Sequence, residues 1–295
     1  MSGSKKDIDQ VSGYETTGHE WDGIKELNRP LPRWWVWIFY ATIVWSIGYM
    51  IFMPAIPGLP GMAGATPGLR NHSERTNVAE ALSAAEAARG PLFAKLAGAS
   101  LGSVENDPEL LQFALAAGRS AFGDNCATCH GSGAQGFKGY PNLNDDVWLW
   151  GGGLSDIKQT LLYGIRSGHP DTRQSDMPAF GRDGILSGAE IHAVVNHVLA
   201  LSGQEADAAA AAGGRAIFAA QCASCHGEAG KGLREFGAPN LTDAEWLYGG
   251  DYETLRETVT NSRRGVMPYW ADRLDEGTID ALAIYVHTLG GGEGS

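Results

Sequence analysis

The chain has few cysteines, few basic residues and few long apolar runs. Its 295 residues include four cysteines. All four lie in two short motifs, so no thiol is left for a disulfide or for a separate metal site. Lys and Arg number 22 against 34 Asp and Glu, which gives a net charge of −12. That sign excludes nucleic acid as a natural partner, and neither a nucleotide-binding loop nor a hydrolytic constellation is visible.

The two cysteine motifs have the same form and begin 96 residues apart. They are Cys126-Ala-Thr-Cys129-His130 and Cys222-Ala-Ser-Cys225-His226. Cys-x-x-Cys-His is the attachment signature of a c-type haem. The two thiols add across the haem vinyl groups, and the histidine becomes the proximal iron ligand. The sequence therefore predicts two covalent haems, held by Cys126, Cys129, Cys222 and Cys225, with His130 and His226 as axial ligands.

A Cys-x-x-Cys pair has two other common uses. It can be half of a zinc site or the redox dithiol of a thioredoxin-like fold. A zinc site built from both pairs would not require a histidine directly after each second cysteine. A thioredoxin-like motif would be single and would follow a strand in a βαβ unit. Two motifs with matched flanks favour haem.

The residues that follow the two motifs repeat in the same order. Each copy has a Pro-Asn-Leu tripeptide, a Trp-Leu-aromatic-Gly-Gly pentapeptide, a helical pattern, a Met-Pro pair and an apolar helix. The helical patterns lie at residues 157–165 and 255–259, and the apolar helices at 191–201 and 279–289. Ser187 and Glu190 predict a capping box. We expect two tandem class I cytochrome c domains, at residues 109–203 and 204–295.

The Met-Pro pairs, Met177-Pro178 and Met267-Pro268, supply candidates for the sixth iron ligand. Methionine thioether is soft, favours ferrous iron and raises the reduction potential. A lone methionine is more often part of the core, but two at matched positions favour ligation. The separations from His130 to Met177 and from His226 to Met267 are 47 and 41 residues. Ligation within each repeat fits this spacing, and ligation between the repeats fits it equally well.

The other histidines and methionines receive no ligand role. They are His19, His72, His169, His192, His197, His287, Met1, Met50, Met53 and Met62. None of these methionines has a partner in the other repeat, and the histidines lie outside the matched positions. No residue is predicted to be catalytic.

One apolar run covers residues 34–53 and contains no charge. Twenty residues suffice to cross the hydrocarbon core as a helix, and Trp34, Trp35 and Trp37 fit an aromatic belt. A buried core helix would show a polar face. A cleaved signal peptide would be shorter and would begin earlier. We therefore predict an uncleaved transmembrane helix at residues 34–54.

Basic residues lie on one side of this run. Lys25, Arg29 and Arg33 precede it, and the next basic residue is Arg70. The positive-inside rule predicts a cytoplasmic segment at residues 1–33. A Pro/Gly-rich and then Ala-rich linker at residues 55–108, with helical character at 76–100, would be periplasmic, like the haem domains. The expected location is a bacterial inner membrane, crossed once.

The whole arrangement resembles the dihaem subunit of cbb3-type cytochrome c oxidase, the CcoP or FixP family. The more specific part is the N-terminal stretch Gly18-His19-Glu20-Trp21-Asp22-Gly23-Ile24, followed by Leu27-Asn28-Arg29-Pro30-Leu31-Pro32 and the tryptophan-rich span. The resemblance implies an all-α chain, with one transmembrane helix before two cytochrome domains. It also implies exchanged methionines, with Met267 on the first haem and Met177 on the second.

The function that the resemblance implies is electron entry. Electrons would come from a basic soluble or membrane-bound cytochrome c. They would pass through the two haems to a monohaem cytochrome c subunit, and then to the haem b and haem–copper centre of the catalytic, proton-pumping subunit. Two alternatives stay open: a free-standing membrane dihaem cytochrome that serves another reductase or dehydrogenase, and a dihaem peroxidase, against which the matched methionines argue.

Overall fold

The computed structural model describes residues 7–58 and 64–293. It divides into two compact units, one up to Glu86 and one from Ala87 onward. Met1 and Met62 lie outside the described residues, as do residues 1–6 of the expected N-terminal segment and residues 59–63 of the expected linker. The prediction of a helical chain is confirmed, with two short strands as the exception.

The two strands form an antiparallel hairpin that the sequence analysis did not predict. Strand β1 covers Thr16–Trp21 and β2 covers Ile24–Leu27. Asp22 and Gly23 join them with φ values of 50° and 84°. Two positive φ values in a two-residue loop are typical of a type I′ turn, for which Asp-Gly is a favoured sequence. The Asp-Gly pair inside the family-like stretch was the available signal for this hairpin.

Helix α1 is the predicted apolar helix and covers Arg33–Phe52. Pro32 comes directly before it, where its fixed φ and missing N–H are tolerated. An 18-residue window of this 20-residue helix has a mean hydropathy of 1.6, and none of the helix residues is buried inside the first unit. Among the described residues it is the one helix long and apolar enough to cross a membrane. Helix α2 follows at Glu74–Ala97, close to the predicted 76–100.

The second unit is built from nine further helices in the part of the chain that the structure describes. They are α3 (Leu101–Val104), α4 (Pro108–Asn125), α5 (Ala127–His130), α6 (Leu154–Tyr163), α7 (Gly188–Leu201), α8 (Ala208–Gln221), α9 (Ala223–His226), α10 (Tyr252–Asn261) and α11 (Glu276–His287). A short 3₁₀ turn lies at Arg234–Phe236. Long loops separate α5 from α6 and α9 from α10, as the repeat pattern requires.

Side-chain caps fix the start of most of the longer helices. The Asp107 carboxylate accepts from the Leu110 amide at α4, and the Asp207 carboxylate accepts from two amides at α8. The predicted capping box is present: the Ser187 hydroxyl accepts from the Glu190 amide, and the Glu190 carboxylate accepts from the Ser187 amide. Each cap satisfies backbone donors that the first helical turn leaves free.

Three hydrophobic cores form in this unit, and the two that adjoin the attachment motifs each draw on both repeats. In the first core, α11 packs against α4 and α6. Its buried members are Phe122, Cys126, Ala134, Ile157, Leu161, Ile279, Leu282, Ala283 and Val286. In the second core, α7 packs against α8 and α10. Its buried members are Phe180, Leu186, Ile191, Val194, Val195, Val198, Leu199, Phe218 and Leu255.

The boundary expected between residues 203 and 204 separates the repeats but not the cores. The buried members of the second core all lie within residues 180–255, whereas those of the first core come from two separate stretches, residues 122–161 and 279–286. Only residues 202–207 connect α7 to α8, and such short connections keep consecutive helices adjacent. The Asp207 amide also donates to the Asn196 side-chain oxygen of α7 at 2.8 Å. The last helix of the first repeat therefore packs on the second repeat.

Glycines allow the paired helices to approach closely. A Cβ on Gly118 of α4 would meet the Ala281 carbonyl and the Tyr285 side chain of α11. A Cβ on Gly214 of α8 would meet the Ala193 carbonyl of α7. Gly118 and Gly214 are each eight residues before the first cysteine of their repeat. A glycine at the same position of each repeat therefore allows the close approach of α4 to α11 and of α8 to α7.

An ion pair also joins the two repeats across the first core. The Lys158 ammonium of α6 lies 2.6 Å from the Asp280 carboxylate of α11, whose side chain is almost fully buried. Removing one partner of such a pair leaves a buried charge without compensation, which is strongly unfavourable. The pair therefore fixes which surface of α11 faces α6.

We expect Gly118→Ala to lower the free energy of unfolding by about 1–3 kcal/mol, because the added methyl group overpacks the α4–α11 crossing. Gly123→Ala is the matched control on the same helix, since a Cβ there meets nothing within 4 Å. The control should be neutral or more stable by about 0.5–1 kcal/mol, as helix propensity requires. Thermal unfolding followed by circular dichroism measures both. Equal stability of the two variants would contradict the close crossing.

Candidate haem-binding site

The two attachment motifs fold into identical single turns. The His130 and His226 amides each donate to the carbonyl of the first cysteine of their motif, at 2.9 Å. Gly131 and Gly227 end the turns with φ values of 83° and 75°. A side chain at either position would be strained, which explains why glycine follows each histidine. The turns present two thiols and one imidazole from five consecutive residues.

The proximal histidines are held in one orientation. The Nδ1 atoms of His130 and His226 lie 3.0 Å from the carbonyl oxygens of Pro141 and Pro239. A carbonyl only accepts, so Nδ1 carries the proton and Nε2 keeps its lone pair. Burial lowers the pKa of both imidazoles. Each histidine is therefore a neutral donor with Nε2 free to bind a metal, as second-shell hydrogen bonding arranges in metalloproteins.

The role of the Pro-Asn-Leu tripeptide was missed in the sequence. The repeat showed Pro141 and Pro239 at matched positions, but not that their carbonyls orient the histidines. The repeat of the tripeptide after each motif was the signal. Since proline has no N–H, it contributes only its carbonyl to such a contact.

The first cysteine of each motif lies in an apolar environment. Burial raises the pKa of Cys126 and of Cys222 to about 11 in each case. Both are therefore thiols rather than thiolates at neutral pH. The described residues contain no group of three or more His, Cys, Asp and Glu that could hold a metal ion. The donor set fits a covalently attached group with its own metal.

Each Met-Pro methionine lies against the core that holds the attachment cysteine of the other repeat. Met267 packs on the first core, which contains Cys126, and Met177 packs on the second core beside Cys222. The main chain reinforces the exchange, because Ile165 and Met267 each donate an amide to the other's carbonyl at 3.0 Å. The Ser262 hydroxyl donates to the Met177 carbonyl at 2.7 Å. The main chain of each methionine is thus hydrogen-bonded to a residue of the other repeat, Ile165 for Met267 and Ser262 for Met177.

A cavity of about 730 Å³ lies in the second core. His226, Cys222, Cys225 and Met177 all line it, together with apolar side chains such as Val194 and Phe218. Cofactor sites are mostly apolar cavities of about 300–1,000 Å³. The size, the apolar lining, and the presence of two thiols, an imidazole and a thioether in one cavity fit a haem.

Aromatic rings from each repeat cover a glycine of the other repeat. The Trp150 ring lies where a Cβ on Gly237 would stand, and Tyr248 lies 3.2 Å from the Cβ position of Gly139. An arginine also lies over each ring. The guanidinium of Arg173 is 5.5 Å from the Trp150 ring centroid, and that of Arg263 is 4.7 Å from the Tyr248 ring centroid. The third residue of each Trp-Leu-aromatic sequence therefore packs on the other repeat.

The remaining described histidines have protein partners or lie on the surface. His192 contacts the Tyr252 hydroxyl at 2.7 Å, His169 packs between Tyr163 and Tyr269, and His197 packs on Phe218. His287 contacts the Glu293 carbonyl at 2.9 Å, and His72 pairs with Glu74 at 2.7 Å. His19 lies exposed on the hairpin. The structure brings none of them to the attachment turns.

Two family models match the chain. The N-terminal domain of cytochrome oxidase-cbb3, FixP, matches residues 13–60, and cytochrome C oxidase, cbb3-type, subunit III, matches residues 113–198 and 209–286. The first match covers the hairpin and α1. The second covers both repeats.

Curated relatives match along nearly their whole length. A cbb3-type cytochrome c oxidase subunit FixP of Bradyrhizobium sp. (strain ORS 278) is 58% identical over 97% of this chain and 98% of its own. A subunit CcoP of Cereibacter sphaeroides is 53% identical over 94% and 95%. A subunit CcoP of Azospirillum brasilense is 47% identical over 98% and 100%. The hairpin, the apolar helix and the two attachment turns therefore belong to one architecture, and the chain is a member of the FixP/CcoP family of cbb3-type cytochrome c oxidase subunits.

Proposed function

We propose that this chain is a membrane-anchored dihaem c-type cytochrome that carries electrons into a cbb3-type, proton-pumping terminal oxidase. It accepts them from a cytochrome c donor and passes them toward the haem b and haem–copper centre where oxygen is reduced. The observation that carries the proposal is the placement of the methionines. Each Cys-x-x-Cys-His turn, with its neutral histidine, shares a core with the methionine of the opposite repeat.

The protein groups that hold the two cofactors are assigned in the crossed arrangement. Cys126 and Cys129 bind the first haem covalently, with His130 and Met267 as axial ligands. Cys222 and Cys225 bind the second, with His226 and Met177 as axial ligands. Each methionine packs on the core that holds the attachment cysteine of the opposite repeat, which supports this assignment over ligation within a repeat. Each bound haem supplies a one-electron couple at its iron.

The chain's own residues set the properties of that couple. The Pro141 and Pro239 carbonyls keep the histidines in the Nδ1–H tautomer and orient Nε2. The methionine thioethers favour the reduced metal and occupy the position that a substrate would need. Apolar lining residues exclude water, which disfavours the more highly charged oxidised state. The result is a site built for electron transfer rather than for ligand chemistry.

The partners follow from the family and from charge. The catalytic haem–copper subunit and the monohaem cytochrome c subunit are the acceptors within the complex. Residues 204–295 carry seven Lys and Arg against fourteen Asp and Glu, whereas residues 112–203 carry six against eight. An acidic surface attracts a basic donor cytochrome and speeds the encounter.

The membrane arrangement follows from α1. The helix crosses a bacterial inner membrane once, with residues 1–33 in the cytoplasm and both haem sites in the periplasm. Lys25, Arg29 and Arg33 before the helix support this orientation. Covalent haem attachment in the bacterial periplasm requires the same sidedness.

Met267→Ala should leave both haems attached but lower one reduction potential by on the order of 0.1 V or more, since axial ligands tune haem potentials over about 0.8 V. Met177→Ala should lower the other. Potentiometric titration of the purified complex measures both, and the far-red methionine-to-iron charge-transfer band should halve in each variant. Met53→Ala, far from both motifs in sequence, is the control.

The crossed pairing of methionines with haems can be tested separately by NMR. In ferrous Met267→Ala protein, the remaining ligand methyl group is that of Met177. Its nuclear Overhauser contacts should lead to the haem whose thioether bonds are made by Cys222 and Cys225. Contacts to the haem bound by Cys126 and Cys129 would show ligation within each repeat and overturn the crossed assignment.

A reduced-minus-oxidised spectrum of the complex purified in mild detergent tests the place of this chain in an oxidase. We expect haem b signals beside haem c and oxygen consumption in the same fraction. A pure haem c spectrum in an intact preparation would contradict an oxidase subunit and indicate a free-standing membrane cytochrome. Carbon monoxide binding to the haem c of ferrous protein would indicate an open iron, as in a peroxidase.

The rate of electron transfer from a basic cytochrome c should fall as ionic strength rises, because the acidic second repeat steers the encounter and salt screens it. Stopped-flow oxidation of the donor at several salt concentrations measures this. A rate independent of salt would exclude electrostatic docking of a basic donor.

A further inference from the structure

Arg166 lies between the two segments that carry the methionines. We name these the first methionine loop, residues 175–178, and the second methionine loop, residues 262–268. The guanidinium Nε donates to the Gly265 carbonyl at 2.7 Å, and Nη1 donates to the Ser175 carbonyl at 3.0 Å. Each of these carbonyls is two residues before a methionine, Met267 in one loop and Met177 in the other. One side chain therefore contacts both loops.

The backbone around Arg166 is fixed in an uncommon conformation. Its φ is +51°, in the left-handed region that non-glycine residues rarely adopt. Its amide donates to the Arg173 carbonyl at 2.8 Å, and its neighbour Ile165 is paired with Met267. Such conformations persist only where the surroundings enforce them, and they cluster at functional sites. Backbone hydrogen bonds thus fix the main chain of Arg166, and the two carbonyl contacts fix its guanidinium.

The two methionine loops are also bonded directly to each other. The Ser262 hydroxyl donates to the Met177 carbonyl at 2.7 Å, and the Arg264 guanidinium pairs with the Asp176 carboxylate. Arg264 stands three residues after the end of α10, as Arg166 stands three residues after the end of α6. Each repeat thus sends an arginine from the same position to the methionine loop of the other.

We infer that Arg166 is a positioning residue that couples the two haem sites by holding both methionine loops at once. The inference rests on the proposed axial roles of Met177 and Met267. Loss of either carbonyl contact loosens the loop concerned, and the bonds between the loops pass the change to the other. A methionine that leaves its iron at one site therefore weakens the methionine at the second site. Arg166 thus contributes to methionine ligation at both sites.

The direct test uses Arg166→Gln in the full oxidase complex, because an amide cannot reach both carbonyls with charge-assisted hydrogen bonds. Imidazole added to the ferric protein replaces methionine only when a loop opens. Binding should become faster at both haems by about tenfold, the effect of losing one such hydrogen bond per loop. The far-red methionine band should weaken at both haems, and both reduction potentials should fall.

Arg182→Gln is the matched control. Arg182 is an exposed arginine that also crosses between the repeats. Its guanidinium donates to the Asn261 carbonyl at 3.2 Å and pairs with Asp183, and neither partner belongs to a methionine loop. It should leave imidazole binding and both potentials unchanged. If Arg182→Gln reproduced the effect of Arg166→Gln, general loss of an inter-repeat contact would be the cause, and the inference would be wrong.

Arg166→Lys separates position from charge and serves if Arg166→Gln fails to assemble. Lysine keeps the positive charge but lacks the planar fork that reaches two carbonyls. Imidazole should therefore bind both haems of the Arg166→Lys protein about as fast as it binds those of the Arg166→Gln protein. Full recovery of slow binding would show that charge alone matters, and an effect confined to one haem would show that the loops are not coupled. Either result overturns the inference.

The methionine variants keep this test distinct from that of the axial ligands. If the far-red band survives in both Met177→Ala and Met267→Ala, the axial assignment fails, whatever Arg166 does. If each variant loses half of the band while Arg166→Gln behaves like wild type, the axial assignment stands and only the coupling fails.

Discussion

The connection of six residues between α7 and α8 is the constraint on which the second unit depends. It keeps the last helix of the first repeat beside the first helix of the second repeat. With α7 placed there, the groove on α4 is left for α11, which arrives from the far end of the chain. The exchange of helices then carries the methionine loops with it, because each loop leads into one of the exchanged helices. The position of both methionine loops is thus a consequence of chain connectivity.

The attachment motifs could be recognised in the sequence from the residues themselves, whereas the residue spacing left the methionine exchange open and only the family resemblance implied it. Cys126, Cys129 and His130 lie within five residues, so a local motif specifies their arrangement completely. The apolar faces of α7 and α11 are alike, and each could pack on either α4 or α8 through the same glycine crossing. Local patterns therefore fit two arrangements equally well. Only the lengths of the connections and the contacts between distant loops decide, and these are properties of the whole fold.

The hairpin and the contacts of the proline carbonyls with the histidines show two other reasons why the sequence did not predict the whole structure. Asp22-Gly23 is a known turn signal, but the flanking strands are short and exposed, so periodicity gave no support for them. The Pro141 and Pro239 carbonyls act through backbone atoms, which a sequence motif does not describe. Arg166 and Arg264 occupy equivalent positions after α6 and α10, yet their partners lie in loops of unequal length. The functional contacts of a side chain depend on where the other repeat lies.

Exchange makes the two sites one cooperative structure. A separate domain could hold its haem with its own methionine, but the distance between two such domains would vary with their linker. Here each core lies beside the attachment cysteine of one repeat and the methionine of the other. In the crossed arrangement that we propose, neither site would be complete without both repeats. The spacing between the sites is then fixed by packing rather than by a linker. In the coupling that we infer, Arg166 supports both methionine loops, so a change at one loop acts on the other. The proposed relay would thus keep its two metals at a constant distance through shared parts, and coupled ligation would follow from that rigidity.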